Sequence, residues 1–212
     1  MDGQYTVEEQ IKTLKLGRPH VVILGAGASK AAFPDGDANG LELYLTDDLV
    51  EVPEVASLLD QHGVPYVGRH FEDVFSDLYE DQEKRDLVKE LEDRIHSYFS
   101  TMRLPDEPTL YDHLVLSLRE KDLIAAFNWD PLLFQACWRS CSFSRPPWTV
   151  FLHGNVAVGF CQDHKHVGPL RTYCPKCGKR GLYQRRITRR GADTEIDERC
   201  RYCGYRRFVG YE

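Results

Sequence analysis

The sequence predicts an α/β protein, with an open, mostly parallel Rossmann-like sheet and a small cysteine-bearing module after it. Three observations predict this. Three apolar runs each end in a loop rich in glycine, asparagine or histidine. Segments with helical spacing separate the first two runs, the alternation expected of a parallel sheet. The chain then changes character near Cys161, becoming rich in Arg, Gly and Cys and poor in aliphatic residues.

Thr6 to Leu16 carries Val7, Ile11 and Leu14 at helical spacing and predicts a short helix. His20-Val21-Val22-Ile23-Leu24 predicts a strand buried on both faces, because a continuous β-branched run suits a central parallel strand. Gly25-Ala26-Gly27-Ala28-Ser29 follows, and Lys30-Ala31-Ala32 starts a helix. Pro34-Asp35-Gly36-Asp37 forces a turn. Leu41 to Gly63 reads as mostly helical with a break near Pro53. Phe71, Val74, Phe75 and Leu78 form an amphipathic stripe. Asp81 to Met102 is a charged helix with Leu87, Leu91, Ile95, Tyr98 and Phe99 on one face. Tyr111 to Leu118 is a further helix, and Asp122 to Phe127 a second buried strand ending at Asn128-Trp129-Asp130-Pro131. A helix follows to about Ser140, with Pro131 in its first turn. Trp148 to Leu152 is a third strand, ending at His153-Gly154. Trp129, Trp138 and Trp148 read most simply as core.

In an open parallel sheet, ligands bind outside the carboxyl ends of the strands. All three loops with reactive residue types lie at those ends, which predicts one shared site. The expected domains are 1–163, a nucleotide-binding domain, and 164–212, the cysteine-bearing module.

The 212 residues include 42% hydrophobic and 28% charged residues, which excludes a disordered chain. No apolar run is long enough for a membrane span, and no signal sequence precedes the first helix, so the expected location is the cytoplasm. The net charge of −6 is unevenly distributed. His164 to Glu212 holds 13 Lys/Arg against 5 Asp/Glu, while the rest holds 14 against 28. A basic tail reads either as a nucleic-acid surface or as a solvated face beside an acidic body.

Of the seven cysteines, Cys137, Cys141 and Cys161 sit in apolar surroundings and read as buried thiols. The other four form Cys174-x-x-Cys177-Gly178 and Cys200-x-x-Cys203-Gly204, with 22 residues between the pairs. Two residues between cysteines let both thiolates of a turn reach one ion. Four thiolates close a tetrahedral zinc and leave no position for water, so the expected zinc is structural.

Gly25-x-Gly27 between strand and helix lets backbone N–H groups face a pyrophosphate, though a tight turn has the same composition. Asn128-x-Asp130 before Pro131 reads by itself as a helix cap.

In order, the motifs GAGAS (Gly25 to Ser29), Pro34-Asp35, Phe127-Asn128-Trp129-Asp130, His153-Gly154, CPKCG and CRYCG resemble the sirtuin superfamily, in particular its sirtuin-like NAD-cleaving branch. Many members of that branch act in bacterial anti-phage defence. The likeness runs from about Pro19 to Gly204. It implies cleavage of the nicotinamide–ribose bond of NAD, with His153 as base and Asn128 positioning water or ribose. By the same resemblance Asp130 holds the carboxamide, Asp35 lines the nicotinamide end, and Gly25, Ala26, Gly27 and Ser29 cradle phosphates. True sirtuins usually follow Pro-Asp with Phe-Arg and place Gln before the Asn. Here Gly36-Asp37 and Phe127 stand there, which favours an NAD hydrolase over a lysine deacylase acting on an acyl-lysine peptide. The four-Cys module looks more like the deacylases. A third reading is a non-catalytic nucleotide- or nucleic-acid-binding zinc-ribbon protein. In the family the sheet continues past the zinc module, so the resemblance implies either a missing C-terminal part or a short form.

Overall fold

The computed structural model describes residues 18–161, 164, 166–169, 183–184 and 209–210. It is a mixed α/β structure. In chain order its elements are β1 (Val21–Leu24), α1 (Ala26–Ala32), a 3-10 turn (Asp47–Glu51), α2 (Pro53–Gln61), α3 (Phe71–Glu80), a second 3-10 turn (Gln82–Lys84), α4 (Arg85–Thr101), α5 (Leu110–Ser117), β2 (Leu123–Ala126), α6 (Leu132–Ser140), β3 (Trp148–Phe151), β4 (Val158–Cys161), β5 (His166–Pro169), β6 (Tyr183–Gln184) and β7 (Val209–Gly210).

β1, β2 and β3 pair in parallel, with Val21 beside Leu123 and Leu123 beside Trp148. Two residues of β7 extend the sheet in parallel on the far side of β3, giving the order β1-β2-β3-β7. With four residues in each main strand, the sheet is small. β4, β5 and β6 form a separate antiparallel sheet, in which β4 and β5 pair on either side of residues 162–165.

One face of the parallel sheet carries the main core. Ile124, Ala126 and Phe151 are fully buried there, with Val22 and Leu24 packed beside them against the helices. The opposite face holds a smaller cluster of Ala125 and Val150 flanked by Leu123 and Leu152. The expectation that β1 is buried on both faces is corrected: Val21 is 62% and Ile23 69% exposed. An apolar run reports that each residue tolerates burial, not that a second layer is present. Trp138, expected in the core, is 44% exposed and stacks on Phe134.

The 90 residues between α1 and β2 build a helical layer over the core face. Pro53 does not break a helix; it is the first residue of α2, where its missing N–H costs nothing. Residues before Asp47 are irregular rather than helical. There Asp37 is buried and accepts the backbone N–H groups of Asn39, Leu41 and Arg103 at 2.8, 2.9 and 2.8 Å. Gly36 has φ +92°, and a Cβ there would lie 2.7 Å from the Leu41 carbonyl oxygen, so the turn requires glycine. α3 and α4 bury the stripes expected of them, including Phe71, Val74, Leu78, Leu91, Ile95 and Phe99. α5 starts with a capping box between Thr109 and Asp112, and Arg139 of α6 donates to the same carboxylate. Burial favours the neutral acid of Asp112, but the Arg139 and Thr109 hydrogen bonds outweigh it and lower its pKa. Cys137 is buried, which pushes its thiol up to about 12 and leaves it inert, whereas Cys141 is only half-buried.

Asp122 ties the entry ends of the strands together. Its carboxylate accepts the His20 and Arg119 backbone N–H groups, each at 2.8 Å, and the Lys121 ammonium at 3.1 Å. Its own carbonyl accepts from Trp148 at the start of β3. Led by the His20 N–H, these donors hold its carboxyl well below the usual carboxylate range. A depressed folded pKa contributes stability that is present above the unfolded value near 3.9 and is lost as pH falls through the folded value. Asp122→Asn presents an amide N–H to one of these donors. It is expected to melt several degrees below wild type at pH 7, with the gap closing as the pH falls below about 4. Thermal melts between pH 7 and 2 check this.

Candidate functional site

The parallel register brings the loops that leave β1, β2 and β3 to one edge of the sheet. The β1 loop passes directly into α1, so Ser29 lies one helical turn beyond the strand. The β2 loop carries Phe127 to Asp130, and the β3 loop carries His153 to Val156. Asn155 joins the last two. Its side-chain amide donates to the carbonyls of Asn128 (3.2 Å) and Asp130 (2.6 Å), and its Oδ1 accepts the Ala157 N–H. The Val156 N–H adds a bond to the Trp129 carbonyl at 3.0 Å. The β2 loop is therefore held in shape by the β3 loop through backbone groups, independently of its own side chains.

Beneath these loops is a buried polar cluster. Ser29, Tyr111, Asn128 and Asp130 are each at most 4% exposed. The Asn128 amide nitrogen donates to Ser29 Oγ (2.6 Å) and Tyr111 Oη (3.2 Å). Ser29 Oγ meets Tyr111 Oη at 2.6 Å and donates to Asp130 Oδ2 at 2.7 Å. Asp130 Oδ1 accepts the Leu132 N–H at 3.0 Å, so the residue also caps the start of α6. With one proton on each hydroxyl, the donors run in one direction: Asn128 to both hydroxyls, Tyr111 to Ser29, Ser29 to Asp130.

Two polar atoms in this region have no partner among the described residues. They are Asn128 Oδ1, an acceptor, and Trp129 Nε1, a donor. Buried polar groups are normally paired, and an orphan next to a cleft marks a place where a ligand or water completes the bonding. The cleft here is lined by Ala26 and Ser29 of α1, Leu43, Tyr44 and Thr46 of the irregular segment, Phe99 of α4, and Phe127 to Asp130. About 20 Å³ inside it is open to the centre of a water molecule. Tyr98 pins its far wall: its hydroxyl donates to the Glu42 carbonyl and accepts the Tyr44 N–H at 3.1 Å. Burial pushes that hydroxyl up to about 12, so it remains a donor.

Burial is also the largest influence on Asp130, and it raises the carboxyl above its ordinary value. The Ser29, Leu132 and Asn128 hydrogen bonds pull in the other direction without cancelling it. Among the described residues, no Lys, Arg or His forms an ion pair with it. Tyr111 is raised likewise, by burial first and by the Asp130 charge second.

Of the residues singled out in the sequence, Ala26, Ser29, Asn128 and Asp130 line the cleft. Gly25 and Gly27 sit beside it with open space where a Cβ would stand. His153 is exposed, and its ring meets Phe127 edge-on at 5.0 Å, one residue removed from the lining. Asp35 is exposed in the turn after α1 and does not line the cleft. Cys174, Cys177, Cys200 and Cys203 lie outside the described residues, as does the helix expected at Thr6 to Leu16. Tyr111, Asn155, Tyr44 and Tyr98 carry the site yet gave no signal in the sequence, where each looks like any core tyrosine or loop asparagine.

No protein-family model matches the chain, and no curated protein matches it. No helix among the described residues is long and apolar enough to cross a membrane.

A carboxyl with a raised folded pKa binds its proton more tightly when folded, so ionising it opposes folding as pH rises above the unfolded value. Asp130→Asn cannot ionise. Its stability relative to wild type is expected to rise between pH 5 and pH 8. Paired melts at pH 8 and pH 5 test this.

Proposed function

We propose that the chain is a sirtuin-like enzyme that cleaves the nicotinamide–ribose bond of NAD, acting as an NAD hydrolase. One observation carries the reading. Among the described residues, the cleft floor holds a buried carboxyl group with no cation beside it, next to an unpaired acceptor and an unpaired donor. The nicotinamide end of NAD is a cationic ring with a carboxamide, and so offers the positive charge, the donor and the acceptor that this floor lacks. The order of motifs in the sequence supports the same reading, and so does the placement of the cleft at the carboxyl ends of parallel strands.

Nicotinamide needs no proton to leave. The C1′–N bond breaks with its electron pair going to the ring nitrogen, which neutralises the ring. Water adds to the oxocarbenium-like C1′ and gives up one proton. Asp130 and Trp129 orient the carboxamide, and Asn128 Oδ1 accepts from the water or from a ribose hydroxyl. His153 takes the released proton from the solvent side. Gly25, Ala26 and Gly27 leave the backbone accessible to the phosphates. In this reading Asp35 approaches NAD only from the turn beyond α1. The fold around this site is a Rossmann-like sheet, and Cys174, Cys177, Cys200 and Cys203 hold a structural zinc in a ribbon that the cysteine spacing supports. A role in defence against phage follows from the resemblance alone.

Chromatography of free nicotinamide after incubation with NAD tests the activity, with and without an acetylated-lysine peptide. Release in both samples is expected, with His153→Ala and Asn128→Ala each about 100-fold slower or worse. Release only with peptide would replace hydrolysis by deacylation. No release would reject both and favour a nucleotide- or nucleic-acid-binding role. Metal analysis of purified protein is expected to find about one zinc per chain, lost in Cys174→Ser and in Cys200→Ser. A metal-free wild type would remove the zinc ribbon.

A further inference from the structure

We infer that Tyr111 is a positioning residue for the proposed reaction, fixing the side-chain amide of Asn128 so that Oδ1 alone faces the ligand. This rests on the NAD-cleaving reading of the site. Tyr111 is on the first turn of α5, 17 residues before Asn128, and its ring packs edge-on against Phe33 at 5.5 Å. Its hydroxyl takes one N–H of the Asn128 amide, and Ser29 Oγ takes the other.

An asparagine amide has two nearly isosteric orientations, and only its hydrogen-bond partners choose between them. In the observed orientation every proton has an acceptor. Reversing the amide would set Oδ1 against Ser29 Oγ, whose single proton is already committed to Asp130. Ser29 would then have to abandon Asp130 or face Oδ1 oxygen to oxygen at about 2.6 Å. Ser29 therefore disfavours the reversed amide, and Tyr111 stabilises the observed one by holding the second N–H. Tyr111 touches no ligand in this account. It acts by keeping an acceptor, rather than a donor, in the cleft, the polarity needed to receive a proton-bearing water or hydroxyl.

The test pairs spectroscopy with kinetics. In the wild type, both Asn128 Nδ2 protons, assigned by their absence in Asn128→Asp, are expected to be shifted downfield and slow to exchange. A pair at the free-amide position overturns the inference without any variant. In Tyr111→Phe, which keeps the ring, one proton is expected to move upfield and exchange faster. Nicotinamide release is expected to show kcat about tenfold lower with KM little changed. An unchanged amide pair, or a shifted pair with unchanged kcat, overturns the positioning role. Absence of nicotinamide release by wild type would overturn the hydrolase reading, and the amide resonances would still decide whether Tyr111 orients Asn128.

Discussion

A carboxyl group out of water and, among the described residues, without a cation must be surrounded by donors, and Asp130 shows how many elements that takes. Ser29 comes from α1, the Leu132 N–H from α6, and the serine in turn is supported by Tyr111 of α5 and by Asn128. Each donor comes from a different element, so α1, α5, α6 and the β2 loop must meet at one point for the cluster to exist. Burial still wins over these bonds and raises the Asp130 carboxyl. Hydrogen bonds to a buried charge recover part of its lost hydration and seldom all of it. A natural chain that keeps such a group beside a cleft retains a local cost that a hydrophobic side chain would remove, the pattern of a site held for function.

The scaffold answers that cost elsewhere. Asp122, at the opposite ends of the strands, is ringed by N–H groups and an ammonium, and its carboxyl is held low. Asp112 gains from Arg139 and from the α5 capping box. Asp37 closes the turn after α1 with three backbone N–H groups. Three carboxylates are thus used as acceptors for otherwise open backbone, at the entry ends of the strands, at the start of α5 and in the turn after α1. Asp130 differs from them in kind: its surroundings are hydroxyls, one amide and one backbone N–H, with free space on one side.

The legible part of this structure was local. Val21 to Leu24, Leu123 to Ala126 and Trp148 to Phe151 announce strands through continuous apolar runs, and each is followed by a loop whose residue types stand out. Asn128 and Asp130 were readable because they occupy those loops, and Ser29 because it stands in the helix that starts directly after β1. Tyr111 was not, because its hydroxyl meets Ser29 across 82 residues of sequence and its helix reads as ordinary core. Asn155 was hidden beside His153-Gly154, since its work is done on backbone carbonyls of another loop. The exposure of Val21 and Ile23 was unreadable for a different reason: composition reports what a residue tolerates, and layer order decides what it receives.

The orphaned atoms connect the energetic account to the chemical one. If Asp130 were the only uncompensated group, a buried water could relieve it. Asn128 Oδ1 and Trp129 Nε1 are unpaired in the same region, and their needs are opposite in sign. One water cannot supply a charge as well as both bonds at separate points along the Phe127 to Asp130 loop. In the proposed reading a cationic ring bearing a carboxamide would answer Asp130 and Trp129 Nε1, and a ribose hydroxyl or water would answer Asn128 Oδ1. Such a ligand would also favour the ionised form of Asp130, so binding and deprotonation are linked and reinforce one another as pH rises through the raised value.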